Sequence, residues 1–307
     1  MPDAAPDRMS SLSLSPSEAV GGPVHGGYSL VQVASGAWSV RSHAEGETFH
    51  PVVGPAAEAE ALYVRQMRLP ERAAGVPDEF VVWDVGLGAA ANVIAVIRAM
   101  GDVEARLRVE SFDHTGEPLR FARSEAARLG YLEGFEGPVA ELLERRDVSF
   151  QRGGCRVRWR FHEADFPTWL SSGAGDVPAP EAILFDAFSP ARNPAMWTLG
   201  VFRGLRGRVG ARPATLATYS RSTLLRVTLL MAGFHVGVGH ATGEKEETTV
   251  ASSDPAMAGR LLDEAWLARA MRSTSAEPLD QPVYRQRPLS DATRGGLERH
   301  PQFARGG

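Results

Sequence analysis

The chain has 307 residues, 43% hydrophobic and 23% charged, with a formal net charge of −4, so it is no polycation and any nucleic-acid contact would need a local basic patch. Its one cysteine, Cys155, excludes an intrachain disulfide and any multi-cysteine metal or iron–sulfur centre. No apolar run approaches the roughly 20 residues of a membrane helix and the N-terminus lacks the basic start and apolar block of a secretory signal, so a cytoplasmic protein is expected.

Residues 1–25 are rich in Ser, Pro and Ala without periodicity and read as a disordered tail. Around Ser35-Gly36, residues 28–33 and 37–42 alternate apolar and polar side chains, which predicts a β-hairpin. Phe49-His50-Pro51 then leads through Gly54-Pro55 into an amphipathic helix over 56–67, so that 26–75 form an N-terminal cap. From residue 80 the pattern becomes strand, turn, helix, repeated. Strands are predicted over 80–85, 107–112, 156–161, 182–185 and 214–219, and helices over 89–100, 117–129, 196–206 and 221–232. Residues 130–150 read as an inserted helical excursion. Strands over 234–238 and 247–251, joined through Gly243-Glu244-Lys245, would close the sheet as an antiparallel pair. Strands interleaved with helices predict an α/β fold, a Rossmann-like doubly wound sheet over 76–253. The remainder, 254–307, reads as an extension with one helix near 257–271 followed by Pro-rich coil.

The first chemical signal lies where the first of these strands meets its helix, at Asp84-Val85-Gly86-Leu87-Gly88-Ala89-Ala90-Ala91-Asn92. Gly86 and Gly88 let the backbone pass close to a ligand beside a helix N-terminus, at the strand end where open α/β sheets bind nucleotides. An acid at 84 would repel a pyrophosphate but suits an ammonium group, such as that of the methionine part of S-adenosylmethionine. Asp113 ends the next strand, where a carboxylate can accept from both ribose hydroxyls of an adenosine cofactor. Asp165 follows the third strand and is equally placed to receive an adenine amino group or to cap the helix begun by Phe166-Pro167.

The second signal is Asp186-Ala187-Phe188-Ser189-Pro190-Ala191-Arg192-Asn193-Pro194-Ala195-Met196-Trp197, after the fourth strand. Its prolines restrict the loop, Phe188 and Trp197 offer faces on which a flat base can stack, and Asp186 can accept a hydrogen bond from an amine. Only a neutral amine has a lone pair to receive a methyl group. A carboxylate favours the ammonium form, so Asp186 would act by orienting the amine and relieving the positive charge that develops on nitrogen. Tyr219, in Tyr219-Ser220-Arg221, is placed to close the acceptor pocket.

These strings, together with Ala217-Thr218-Tyr219-Ser220, resemble the methyltransferase part of the bacterial tRNA 5-methylaminomethyl-2-thiouridine enzymes, the MnmC type. That family has an acid-x-Gly-x-Gly-x-Gly-x-Asn turn, matched at Asp84, Gly86, Gly88 and Asn92, with Ala90 in place of the third glycine. Its Asp-Gly-Phe-x-Pro-x-x-Asn-Pro-x-Met-Trp string is matched at Asp186, Phe188, Pro190, Asn193, Pro194, Met196 and Trp197, with Ala187 in place of glycine. The resemblance covers about residues 28–252. It implies a Rossmann-like methyltransferase using S-adenosyl-L-methionine, whose acceptor is the aminomethyl group of wobble uridine 34 in tRNA. Asp84, Gly86, Gly88, Asn92, Asp113 and Asp165 would then hold the cofactor. Asp186 would contact the amine, and Phe188, Asn193, Trp197 and Tyr219 would shape the acceptor site.

Many members carry a fused flavin-dependent oxidase, for which 307 residues leave no room, so a separate enzyme would have to supply aminomethyl-uridine. A small-molecule amine as acceptor, a non-catalytic cofactor- or RNA-binding protein, and an NAD-linked oxidoreductase are the alternatives. Two arginine-rich stretches (Arg145 to Arg160, Arg203 to Arg212) are either phosphate contacts or solvated faces. The eight histidines have no metal-ligand spacing, so no metal is expected; His50 and His240 are candidates to lie near the crevice. Lys245, the sole lysine, sits near the site or on a surface hairpin.

Overall fold

The computed structural model describes residues 26–173, 175–242 and 246–304. The N-terminal tail 1–25 and Lys245 lie outside them. The hairpin forms from β1 (Tyr28–Gln32) and β2 (Trp38–Ser42), in a register that pairs the buried Leu30 with Val40. A two-residue strand, β3 (Glu47–Thr48), completes a small separate sheet. The helix after Gly54 starts with Pro55 in its first turn, as α1 (Pro55–Ala59), and widens into a π-helical stretch, Glu60–Arg65. Arg68, left-handed at φ 51, ends it and starts α2 (Leu69–Ala74), which the sequence pattern did not predict.

The main body alternates as expected: β4 (Glu79–Val85), α3 (Ala91–Ala99), β5 (Arg106–Asp113), α4 (Glu117–Ser124) and α5 (Ala126–Leu129). Within the helical excursion only α6 (Glu136–Arg145) is helix; the rest includes β6 (Asp147–Arg152), an edge strand antiparallel to β7 (Cys155–Glu163). Then come α7 (Phe166–Ser171), β8 (Ala182–Phe185), α8 (Leu199–Gly207), β9 (Thr215–Thr218), α9 (Thr223–Met231), β10 (His235–Gly239) and β11 (Thr248–Ser252). The C-terminal stretch departs most from expectation. The helix predicted near 257–271 is shorter, α10 (Glu264–Ala270), and is preceded by β12 (Arg260–Leu261), which joins the main sheet beside β10. The Pro-rich coil contains another helix, α11 (Asp291–Glu298), capped by Ser290 and seated on α9.

The main sheet has nine strands in the order β12-β10-β11-β9-β8-β4-β5-β7-β6. The five strands β7, β5, β4, β8 and β9 run parallel, and β11 pairs antiparallel with both β9 and β10. Because strand side chains alternate, β4 feeds two cores. Phe80 and Val82 face α1, its π-helical continuation and α3, whereas Val81, Trp83 and Val85 face α7, α8 and α9. Each such fully buried apolar side chain contributes roughly 1.5–3 kcal/mol, which makes the centre of the sheet a rigid platform. From β4 the chain moves outward to β5 and β7, then returns to lay β8 on the other flank of β4. The sheet therefore reverses direction between β4 and β8, and loops leaving the carboxyl ends of those two strands diverge to open a crevice.

Candidate active site

The loops at this reversal are the glycine turn after β4 and the Asp186 loop after β8, and hydrogen bonds hold them together. Asp186 N donates to Val85 O at 2.9 Å, and Gly86 N and Leu87 N both donate to Phe112 O, at 2.9 and 3.2 Å. Gly86 has φ +101, and a Cβ there would lie 2.6 Å from the Asp186 carbonyl oxygen. Only glycine allows the two loops to touch. Gly88, at φ +48, would bring a Cβ to 3.2 Å from the Phe49 ring, a tight but yielding contact. Ala90, in place of the third glycine, is itself left-handed at φ 62, so it keeps the turn's geometry with some backbone strain. Between the loops and the N-terminal cap lies a cavity of about 730 Å³, within the range of small-molecule and cofactor sites.

Most residues expected at a cofactor reach this cavity. Gly86, Gly88, Asn92, Asp113 and Asp165 line it. Asp113 Oδ2 accepts from Gly88 N at 2.9 Å, which ties the second strand's acid to the glycine turn. Asp165 takes the capping role, accepting from Thr168 N at 3.1 Å at the start of α7, and it also lines the cavity. Asp84 is different. It is fully buried beneath the turn and outside the cavity wall, and neither carboxylate oxygen has a hydrogen-bond partner. Burial pushes its carboxyl up to about 8; Ser111 opposes that shift, while the nearby Asp186 and Asp113 charges add to it. Asn92 is buried on the first turn of α3, and its Nδ2 donates to Asp186 Oδ2 at 2.7 Å. The residue expected to serve a cofactor therefore supports the acid of the other loop.

On the acceptor side, Asp186, Phe188, Asn193 and Tyr219 line the cavity, and the Tyr219 hydroxyl donates to Ala187 O at 3.0 Å. Burial, with the Asp186 charge next, raises the Tyr219 hydroxyl well above its ordinary range, so it stays a neutral donor. Trp197 corrects the sequence expectation. Its ring is fully buried between Phe185 and Tyr219, and its indole N–H donates to Phe188 O at 2.7 Å. It buttresses the loop from behind and offers no face to a base; the aromatic partner of Phe188 is Phe49, with ring centroids 5.5 Å apart.

The N-terminal cap supplies a wall of which the sequence reading placed only His50 near the crevice. His50, left-handed at φ 48, places Nε2 3.8 Å from Asp186 Oδ2 and Nδ1 3.7 Å from Glu58 Oε2. Glu47 accepts from the Ser189 hydroxyl at 2.5 Å, pinning the cap to the Asp186 loop. The only sequence signal for this wall was the compact Phe49-His50-Pro51 string ahead of a helix carrying Glu58. His240 does not line the cavity. The arginine-rich stretches are largely compensated. Arg158 pairs with Asp147, Arg160 with Asp147 and Glu110, Arg146 with Glu163, and Arg212 with Glu181, while Arg208 lies over the Trp83 and Trp169 rings. Among the described residues, no group of three or more His, Cys, Asp or Glu is arranged to hold a metal, and no helix is long and apolar enough to cross a membrane.

The site thus combines a glycine turn open to a cavity with acids at neighbouring strand ends, of which Asp113 and Asp165 line that cavity. Residues 141–254 match the family model described as S-adenosyl-L-methionine-dependent methyltransferase. In sequence the chain is similar to proteins of the MnmC type. Over 222 residues (70% of the chain) it is 30% identical to the tRNA 5-methylaminomethyl-2-thiouridine biosynthesis bifunctional protein MnmC of Cupriavidus metallidurans, of which it covers 32%. The protein of the same name from Caulobacter vibrioides is 32% identical over 218 residues, 66% of this chain and 34% of that protein. The chain thus spans about a third of the length of the curated relatives it matches. The crystal structure of MnmC2 from Aquifex aeolicus shares the fold, with a TM-score of 0.65 and 23% identity over 90% of this chain and 86% of that one.

Proposed function

We propose that this methyltransferase transfers a methyl group from S-adenosyl-L-methionine to the aminomethyl nitrogen on wobble uridine 34 of tRNA. The observation that carries this reading is the Asn92–Asp186 hydrogen bond of 2.7 Å, which fixes the acceptor-side carboxylate directly against the glycine turn. The names of the relatives, which concern tRNA 5-methylaminomethyl-2-thiouridine biosynthesis, support the choice of acceptor.

The residues present fit the cofactor. The close approach at Gly86 and Gly88 leaves backbone room for it, and Asp113 faces the cavity as a partner for ribose hydroxyls. Asp165 faces the same space as a partner for the adenine amino group. Burial disfavours the charged form of Asp84, and the cofactor's ammonium group would relieve that penalty. When bound, the cofactor supplies an electrophilic methyl group on a positively charged sulfur.

Everything else falls to the protein's own side chains. Asp186 accepts a hydrogen bond from the acceptor amine and directs its lone pair toward the glycine turn. Phe188, with Phe49 beside it, gives the base an aromatic surface, and Asn193 and Tyr219 bound the pocket. No covalent enzyme intermediate is needed. A tRNA substrate puts the enzyme in the cytoplasm and requires an activity that generates the aminomethyl group. A small-molecule amine is the second reading, favoured by the acids that compensate the arginine-rich stretches.

The test is incubation with labelled S-adenosyl-L-methionine and tRNA that accumulates aminomethyl-uridine, with nucleosides resolved by mass spectrometry. Methylaminomethyl-uridine is the expected product. Its absence, from protein that binds S-adenosylhomocysteine, would overturn the tRNA assignment and turn the search to small amines.

A further inference from the structure

An amine held by Asp186 raises a difficulty that the carboxylate does not solve. A primary alkylamine is an ammonium ion near neutral pH, and a neighbouring negative charge strengthens that preference. Some group has to take the proton before nitrogen can act as a nucleophile. The cavity holds one imidazole in contact with the acid in question. His50 lines the cavity with its side chain only 10% exposed, Nε2 directed at Asp186 and Nδ1 at Glu58.

We propose that His50, backed by Glu58, is the general base that deprotonates the acceptor ammonium at Asp186. This rests on the amine-methylation reading above. One N–H bond of the ammonium breaks, its electron pair stays on nitrogen as the nucleophilic lone pair, and the proton forms a new N–H bond at His50 Nε2. Charge is conserved, since the cation moves from amine to imidazole. Glu58 stabilises the imidazolium through Nδ1, as a carboxylate behind a catalytic imidazole does. The proton later leaves to solvent through the cavity mouth. Nε2 lies 3.8 Å from the Asp186 carboxylate, side by side with it in the cavity wall. An amine held by Asp186 therefore lies within reach of the same nitrogen.

Other titratable groups surround this pair, and Glu45, Asp113 and His114 line the same cavity. Tyr63, in the π-helical stretch, and Tyr219, after β9, both feel the Asp186 and Glu58 charges and are kept neutral by burial. Asp84 lies beneath, and burial raises its carboxyl to about 8. Glu47 is engaged by Ser189, and Arg192 lines the same cavity. His50 also sits at φ 48, a left-handed backbone that asparagine adopts with little penalty. His50→Asn therefore removes the base with minimal disturbance to the loop.

The experiment measures methyl transfer to aminomethyl-uridine tRNA between pH 6 and pH 10 for the wild type, His50→Asn and Glu58→Gln, with S-adenosylhomocysteine affinity as the check on folding. The wild-type rate should level off near neutrality. His50→Asn should be about 100-fold slower at pH 7, with the deficit shrinking about tenfold per pH unit as the amine loses its proton unaided. Glu58→Gln should show the same trend with about a tenfold loss, and it carries the test if His50→Asn does not bind S-adenosylhomocysteine. A variant whose rate stays a constant fraction of wild type at every pH, or equals it, overturns the assignment of His50. A wild type that binds S-adenosylhomocysteine but methylates no aminomethyl-uridine overturns the parent reading and this one with it.

Discussion

Asn92 and Asp186 are 94 positions apart in the chain, yet the Asn92 amide donates to the Asp186 carboxylate at 2.7 Å, joining the two loops that the sheet reversal holds open. A hydrogen bond to a charged acceptor contributes about 1.5–3 kcal/mol, and here it fixes the rotation of a carboxylate. Asn92→Ala should lower methyl transfer by about tenfold to a hundredfold while S-adenosylhomocysteine binding changes little. Asn92→Asp, although isosteric, should be worse, because it sets two carboxylates against each other. Equal losses in the two variants would show that the contact is incidental.

The two glycines of the turn should respond unequally to alanine. At Gly86 the added Cβ meets backbone, the Asp186 carbonyl at 2.6 Å, and φ is +101. Gly86→Ala should cost about 1–3 kcal/mol of stability and abolish cofactor binding. At Gly88 the obstacle is the Phe49 ring at 3.2 Å, which can move aside. Gly88→Ala should therefore keep measurable affinity. Thermal unfolding and calorimetric titration with S-adenosylhomocysteine check both, and a reversed order would refute this account of the turn.

How far these features were legible in the sequence depended on whether they were local. Phe80–Val85 reads as a strand because buried parallel strands are continuous apolar runs, and the glycine turn and Asp186 loop read as motifs because their chemistry is contiguous. The edge strand Asp147–Arg152 was missed because its partner, not its own polar sequence, makes it a strand. The helix Asp291–Glu298 was missed because it carries two glycines and is stabilised by packing on α9. In the wall made by His50, Glu58 and Glu47, His50 was a candidate from sequence, but Glu58 and Glu47 were hidden for the same reason, since their meaning depends on a loop more than 120 residues away. Trp197 misled in the opposite way: an aromatic in a functional motif proved to be the motif's internal support.

Trp197 therefore offers a stability prediction. Trp197→Phe keeps most of the buried ring and removes the 2.7 Å bond to Phe188 O, leaving that carbonyl short of a donor. A loss of about 1–3 kcal/mol is expected, seen as a lower denaturation midpoint, with the acceptor KM rising more than the cofactor affinity falls. A variant with unchanged stability and a purely catalytic defect would restore Trp197 to the substrate surface.

Asp84 predicts a pH dependence of stability. Its carboxyl is raised from 3.8 when unfolded to about 8 in the folded protein. The folded state thus binds the extra proton between those values. The associated stability is fully present below about pH 4 and is lost as pH rises through about 8. Asp84→Asn abolishes this term, so the variant should gain on wild type in unfolding temperature between pH 5 and pH 8. S-adenosylhomocysteine should narrow that gap at pH 8 if its ammonium group partners Asp84. A wild-type–variant difference that does not change with pH would contradict the burial argument.

The central claim is that Asp186 serves the acceptor amine rather than the cofactor. Single-turnover methyl transfer to aminomethyl-uridine tRNA by wild type and Asp186→Ala, with S-adenosylhomocysteine affinity measured on the same preparations, tests it most directly. The account predicts a rate loss of about a hundredfold to a thousandfold with affinity retained within about threefold. Comparable losses in rate and affinity would contradict it and assign Asp186 to the cofactor.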